Sequence, residues 1–293
     1  MAQVDQVRSI LEAELRRKLS DTPKKPFMRF ANYEFEGQLK AGDTVSVPVS
    51  PKITLTDASG NGQPATIRAN SLAAITASDR TITKSDLVIN KLHNYREKFS
   101  DLEEIQTLYS IKGNRIRDLV NGIETAVETS IITMLDAFFA ATATQTTTIA
   151  SMSVSTVAKD IMGLRTMLSK KEVPMEDRIL IVSPEVSALI AQAGILAGTE
   201  VAADAAVEGW LGKFAGFSIY ESNLITPTGT APAAYIYAFR AKSYNYVRQL
   251  VKAKVTEADD GMYYNILGQV AHGGKVFDQN AEQLVRASVT ALA

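Results

Sequence analysis

Cysteine is absent from the 293 residues, which removes disulfides, thiolate metal sites and cysteine nucleophiles together. Histidine occurs only twice, at His93 and His272, far apart and without the spacing of a zinc site, so surface or packing roles are expected for both. Neither sign of charge is in excess. The 31 basic side chains meet 32 acidic ones, so no overall positive field exists to release counterions from nucleic acid, and any such contact should be local or weak. Apolar runs long enough to span a membrane are missing, and the charges scattered through "MAQVDQVRSILEAELRRK" do not fit a signal peptide. The expectation is a soluble chain that stays inside the cell making it. What is present is 46% hydrophobic residues, enough to bury a core in one large or two modest domains.

The motifs that could carry chemistry fail on context. "GNGQPA" (Gly60 to Ala65) has the spacing of a dinucleotide fingerprint, but Pro64 and another β-prone piece follow where a helix is required, so a hairpin turn is expected. "GQVAHGGKV" from Gly268 misses the phosphate loop, with Gln269 at the first required glycine and Val276 in place of the magnesium-binding hydroxyl. The nucleophile elbow G-x-S-x-G is absent from "LIVSP" around Ser183 and from "GFSIY", where Tyr220 follows Ser218 in place of the second glycine. A hydrolase using Ser183 or Ser218 with His272 is therefore weakly supported. Ser100 and Glu103 form a capping box, S-x-x-E, so Asp101, Glu103 and Glu104 are expected to open a short helix through Leu102, Ile105 and Leu108, not to hold a metal. The sequence thus offers no catalytic residue, no cofactor site and no metal ligand.

Periodicity supplies the elements. Val4, Val7, Leu11, Leu15 and Leu19 define an amphipathic helix that "SDTPKKPF" breaks; seven basic and four acidic residues up to residue 30 make this either a solvated face or an arm that docks on a partner. From Gln38 to Thr83 short alternating pieces, "TVSVPV", "KITLT", "ATIRA" and "RTITK", predict a β-ribbon with too few apolar positions for a core, so it must lie on something else. Residues 114–141 place Ile116, Leu119, Val120, Ile123, Val127, Ile131, Leu135 and Phe138 on one face of a helix about 40 Å long. "AATATQTTTIASMS" reads as a linker, and Val157, Ile161, Leu164 and Leu168 as a second helix that Lys170, Lys171 and Pro174 terminate. "RILIVSPEVSALI" predicts a buried strand over Ile179 to Val182 and then a helix. There Ser183 is the N-cap, Pro184 the first helical position, Glu185 sits in the positive end of the dipole, and Gly194 is the stop. Strands "FSIYES" and "YIYAFR" follow, and the tail ends in a final strand.

In that order, "GQLKAGDTVSVPV", "RILIVSPEVSALI", "GKFAGFSIYESNLI" and "VAHGGKVFDQNAEQLVRAS" resemble the major capsid proteins of tailed bacteriophages, which have the Hong Kong 97-type shell fold. No single motif is diagnostic; the likeness lies in order and spacing from Gly37 onward. The resemblance implies an α+β fold with an N-terminal arm (1–35), an extended β-hairpin loop (36–84), a peripheral domain with a long spine helix (85–150 and 271–293) and an axial domain (151–270). It implies a structural protein, not an enzyme, that self-assembles through hexamers and pentamers into an icosahedral shell around double-stranded DNA, without cofactor, metal or membrane. The implied partners are other copies of the chain, packaged DNA bound without sequence specificity, and scaffolding, portal and decoration proteins. The place is the virion capsid, assembled in the host cytoplasm. Lysines such as Lys40 and Lys52 are expected to be solvated loop lysines without cross-links. The nearest alternative is an encapsulin-type nanocompartment shell enclosing protein cargo.

Overall fold

The computed structural model describes residues 25–35, 44–49, 83–100, 111–195, 210–227, 232–257 and 263–292. In chain order these form α1 (Pro26–Phe30), β1 (Thr44–Val49), β2 (Thr83–Val88), β3 (Lys91–Ser100), α2 (Ile111–Ala141), β4 (Thr146–Met152), α3 (Val157–Lys170), β5 (Arg178–Val182), α4 (Pro184–Gln192), β6 (Trp210–Phe214), β7 (Phe217–Glu221), β8 (Ala234–Arg240), β9 (Asn245–Glu257), β10 (Tyr263–Lys275) and β11 (Leu284–Leu292). The expected helix over residues 4–19 and the strands and turn of the ribbon between residues 50 and 82 lie outside the described residues.

β5 explains why "RILIV" is continuously apolar. It sits inside a six-stranded sheet of order β4-β11-β8-β5-β7-β6, antiparallel to β8 and parallel to β7. Successive side chains of a strand point to opposite faces. Ile179 and Ile181 enter a cluster with α2, while Leu180 and Val182 enter a second cluster with α3 and α4. Both faces are covered, so every residue of the strand is buried.

The long helix is as its period predicts. At 1.5 Å per residue its 31 residues span about 46 Å, and Leu119, Val120, Ile123, Val127, Ile131 and Leu135 are all buried. The face is slightly rotated at its end: Phe139 is buried and Phe138 only half-buried. The helix serves both sheets. Leu119 and Ile123 lie against Gly268 in β10, which belongs to an antiparallel three-stranded sheet of order β3-β10-β9, and Asp136 reaches β8 and β11.

Two expectations are corrected, the linker and the Ser183 side-chain cap; the sheets also bear on the proposed division at residue 270, and the capping box lies largely outside the described residues. The Ala/Thr-rich segment is no linker: after a short 3-10 turn at Ala143–Gln145, β4 pairs in parallel with β11, and Lys171 Nζ donates to Thr144 O at 3.0 Å and to Gln145 Oε1. The division at residue 270 does not follow the sheets. Residues 245–257 and 263–275 pair with β3, whereas the tail strand β11 joins the sheet of β4, β5, β7 and β8. Ser100 ends strand β3, and residues 101–110 of the proposed capping box lie outside the described residues. Ser183 holds the N-cap position and its carbonyl accepts from Ser187 N at 2.9 Å, but its buried hydroxyl makes no hydrogen bond among the described residues. Pro184, Glu185 and Gly194 (φ +62°) stand where the pattern puts them.

The base of the ribbon does have a core to lie on. β1 pairs with β2, and Val47 packs on a small cluster of Leu87, Ile89, Val247, Ala271 and Phe277.

Candidate functional site

No described side chains converge as a catalytic centre would require. His272 does not meet Ser183 or Ser218: its Nδ1 is 2.6 Å from the Tyr246 hydroxyl on β9, while Ser183 holds the N-cap position of α4 with its hydroxyl unpartnered among the described residues and Ser218 is one position of the β7 ladder. Among the described residues no group of three or more His, Asp or Glu side chains could hold a metal ion. The two histidines, distant in sequence, are brought together by β3 and β10 pairing, their rings stacked at 4.8 Å, with Tyr246 stacked on the far side of His272 at 5.8 Å. Burial, followed by His93 and Lys91, lowers the His272 pKa to about 4, so the ring is neutral in a packing role.

What the polar residues do is join elements. Asp136, near the end of α2, accepts from the Tyr237 hydroxyl at 2.5 Å and from Arg286 Nη1 at 2.8 Å, while the Arg286 guanidinium lies over the rings of Tyr235 and Phe139. This fastens the helix to β8 and β11. Arg178, 2% exposed, donates to Ser169 Oγ and to the carbonyls of Pro174 and Val173, which pins the turn between α3 and β5. Burial, then Arg165, lowers its pKa.

Part of the expected arm belongs to the chain's own core. Phe27 and Met28 are fully buried, with Phe27 edge-on to Tyr237 at 5.3 Å and stacked on Phe239 at 6.2 Å. Glu128 of α2 accepts from Phe27 N at 3.1 Å, and the Tyr244 hydroxyl donates to Phe27 O. Sequence periodicity missed Glu124 and Glu128 as interior residues, although Glu128 sits beside Val127, one step around from the apolar face.

Two exposed surfaces among the described residues carry few charges or expose apolar side chains. On α2, Asn121, Gly122, Thr129, Thr133, Ala137 and Ala140 are exposed, and the only charges between Asp118 and Asp136 are the buried Glu124 and Glu128. Thr125, Thr129 and Thr133 each turn the hydroxyl onto the carbonyl four residues back, at 2.8 Å, so this side of the helix carries small, uncharged features. On α3, Met162 and nearby Met175 are 45% and 60% exposed beside Arg165 and Lys170, which is more apolar exposure than isolated surface residues need.

No protein-family model matches the sequence, and no curated protein does. Solved structures match over nearly its whole length. One from Mycobacterium phage Che8 aligns with a TM-score of 0.66 at 20% identity, covering 89% of this chain and 90% of that one. The capsid of cyanophage P-SCSP1u aligns at 0.61 with 13% identity, covering 86% and 84%, and the mature capsid of bacteriophage PhiM1 at 0.60 with 11% identity, covering 91% and 87%. Identities this low speak to architecture alone, and what they show is the fold: the chain has the Hong Kong 97-type α+β fold of phage capsid subunits.

Proposed function

We propose that this chain is the major capsid protein of a tailed bacteriophage, whose copies form hexamers and pentamers and close into an icosahedral shell around double-stranded DNA. The observation that carries this reading is the near-complete coverage of both chains in the structural matches. No reaction is part of the function. Stability of the shell comes from many modest contacts repeated by symmetry, each subunit holding several neighbours at once.

On this reading the ribbon rooted in β1 and β2 reaches toward a neighbouring subunit. α2 with the three-stranded sheet forms the peripheral region, and the six-stranded sheet with α3 and α4 the axial region. The charge-poor outer side of α2 and the methionines beside α3 are suited to contact other copies. A near-neutral chain suits a container, because a strongly basic wall would bind packaged DNA along its length. Scaffolding, portal and decoration proteins are the further partners, and host cytoplasm is the place of assembly.

Electron microscopy of the purified protein tests the reading directly. Closed icosahedral particles are the expected result, and particles recovered from infected cells should hold nuclease-resistant DNA. Particles filled with protein cargo would transfer the reading to an encapsulin-type shell, and a strictly monomeric protein at high concentration would overturn both.

A further inference from the structure

Residues 25–33 are held on the core by both polar and apolar contacts. Phe27 and Met28 are fully buried, Phe30 packs on Tyr220 at 4.9 Å, and the Tyr33 hydroxyl donates to Met28 O at 2.7 Å. Backbone bonds tie the segment to the start of β9: Lys242 N to Phe30 O, Asn32 N to Tyr244 O, and Tyr246 N to Asn32 O. At the other end the tie is Glu128. Its carboxylate is fully buried; Oε1 accepts from Phe27 N, and Oε2 has no hydrogen-bond partner among the described residues. A buried carboxylate with one donor and one unsatisfied oxygen is far costlier as an anion than as a neutral acid.

We infer that Glu128 and residues 25–33 form a proton-controlled clasp, in which the segment is held tightly on α2 while Glu128 is neutral and loosens when it ionises. Among the described residues the charged and titratable groups around the carboxyl are few. Lys25 on the segment favours the anion, Glu124 one turn earlier on α2 opposes it, and Tyr244, bonded to Phe27 O and neighboured by Tyr33, is itself kept neutral by burial. Desolvation outweighs Lys25, and the carboxyl pKa is pushed up from 4.5 to about 7. The released segment returns Glu128 to water and to an ordinary value. Because the clasped state holds the proton more tightly, clasp stability is complete below about 4.5, falls as pH rises to about 7, and is constant above that. His272 works in the opposite direction over an overlapping range, since its neutral folded form is favoured as pH rises. Global melting therefore mixes the two effects, and the clasp must be read locally.

The test is hydrogen exchange with mass spectrometry on the full chain at pH 5 and pH 8, corrected for the intrinsic pH dependence of exchange. Opening of peptides covering residues 25–33 should increase on the order of fiftyfold between the two pH values in the wild type, by linkage between the free and clasped carboxyl. Peptides from α3 serve as the reference. Glu128→Gln keeps the acceptor for Phe27 N and removes the charge, so its residues 25–33 should stay protected at both pH values. An equal pH response in wild type and variant, or none in the wild type, overturns the clasp. Should the variant fold poorly, carboxyl 13C titration of wild-type Glu128 decides instead: a midpoint above about 6 supports the inference, and one below about 5 refutes it.

Discussion

Two glycines on one strand give opposite expectations for the same substitution. Gly268 and Gly273 both lie in β10, and neither needs a positive φ. A Cβ at Gly268 would meet the δ-carbons of Ile123 and Leu119 at 3.7 Å, which is ordinary contact. A Cβ at Gly273 would stand 2.2 Å from Val88 O and 2.9 Å from Ile89 Cα, and these are backbone atoms that cannot rotate away. Gly268→Ala should stabilise by about 0.5 kcal/mol, because alanine loses less freedom on entering a strand and adds a buried methyl. Gly273→Ala must push the β2–β3 junction outward. That opens the cluster holding Leu87, Ile89, Val247, Ala271 and Phe277, at a cost of about 3 kcal/mol or more, the upper end of overpacking. Urea unfolding of the two variants beside the wild type reads the difference, with midpoints moving in opposite directions. Equal midpoints, or a stabilising Gly273→Ala, would show that β2 does not approach β10 as described and would remove the physical basis for rooting the ribbon there.

Three further outcomes follow from burial and hydrogen bonding. Val127→Asp places an unpaired charge at a fully buried position of α2 and should abolish soluble folding, as judged by circular dichroism and gel filtration; a normally folded variant would mean the helix phase is wrong. Ser183→Ala removes a buried hydroxyl with no hydrogen-bond partner among the described residues, so its melting temperature should hold or rise, and a loss of about 1 kcal/mol would restore the capping role. His272 is neutral when folded, with its pKa lowered from 6.5 to about 4, whereas the unfolded ring takes up a proton below 6.5; stability therefore falls as pH drops from 6.5 toward 4. The His272 contribution, about 2–3 kcal/mol, should appear as the difference between wild type and His272→Asn in the change of urea stability from pH 7 to pH 4.5, since the opposing Glu128 contribution is common to both.

What the sequence made legible was whatever a single element decides. The period of α2, the doubly covered strand β5 and the Pro184–Gly194 boundaries of α4 follow from side-chain spacing and backbone chemistry within a few residues. Pairings across the chain were less legible. "TTTIASM" has threonines where a linker might also have them, and only the parallel partner β11, far away in sequence, turns it into a strand. The same kind of non-local pairing joins β9 and β10 to a third strand, β3, that comes from before α2, which periodicity around residue 270 does not reveal. Hydrogen bonds were least legible. Ser183 fits every rule for an N-cap side chain, yet among the described residues its hydroxyl has no partner, and Glu128 looks like a solvated helix charge until Phe27 is seen to cover it.

Glu124 and Glu128 also bear on why the chain exposes what it does. A helix on the surface of a self-sufficient domain buries its apolar stripe and turns its charges to water. α2 obeys the first half of that rule and inverts the second: from Asn121 to Met134 its two charges are inside or nearly so, and what faces outward is threonine, serine, alanine, asparagine and glycine. Local consistency of this kind is normally broken where another requirement intervenes. Charged side chains on that face would have to be desolvated whenever a neighbouring chain covered it, whereas small neutral ones allow close approach at little cost in side-chain entropy. A shell subunit, which is never alone in its working state, has reason to keep such a face; a monomeric enzyme does not. Placing a lysine at Thr129, exposed and bonded only to its own helix, should therefore leave the isolated chain's melting within about 0.5 kcal/mol of wild type while reducing the yield of closed particles in sedimentation. Particles formed at wild-type yield by Thr129→Lys would show that this face meets only water.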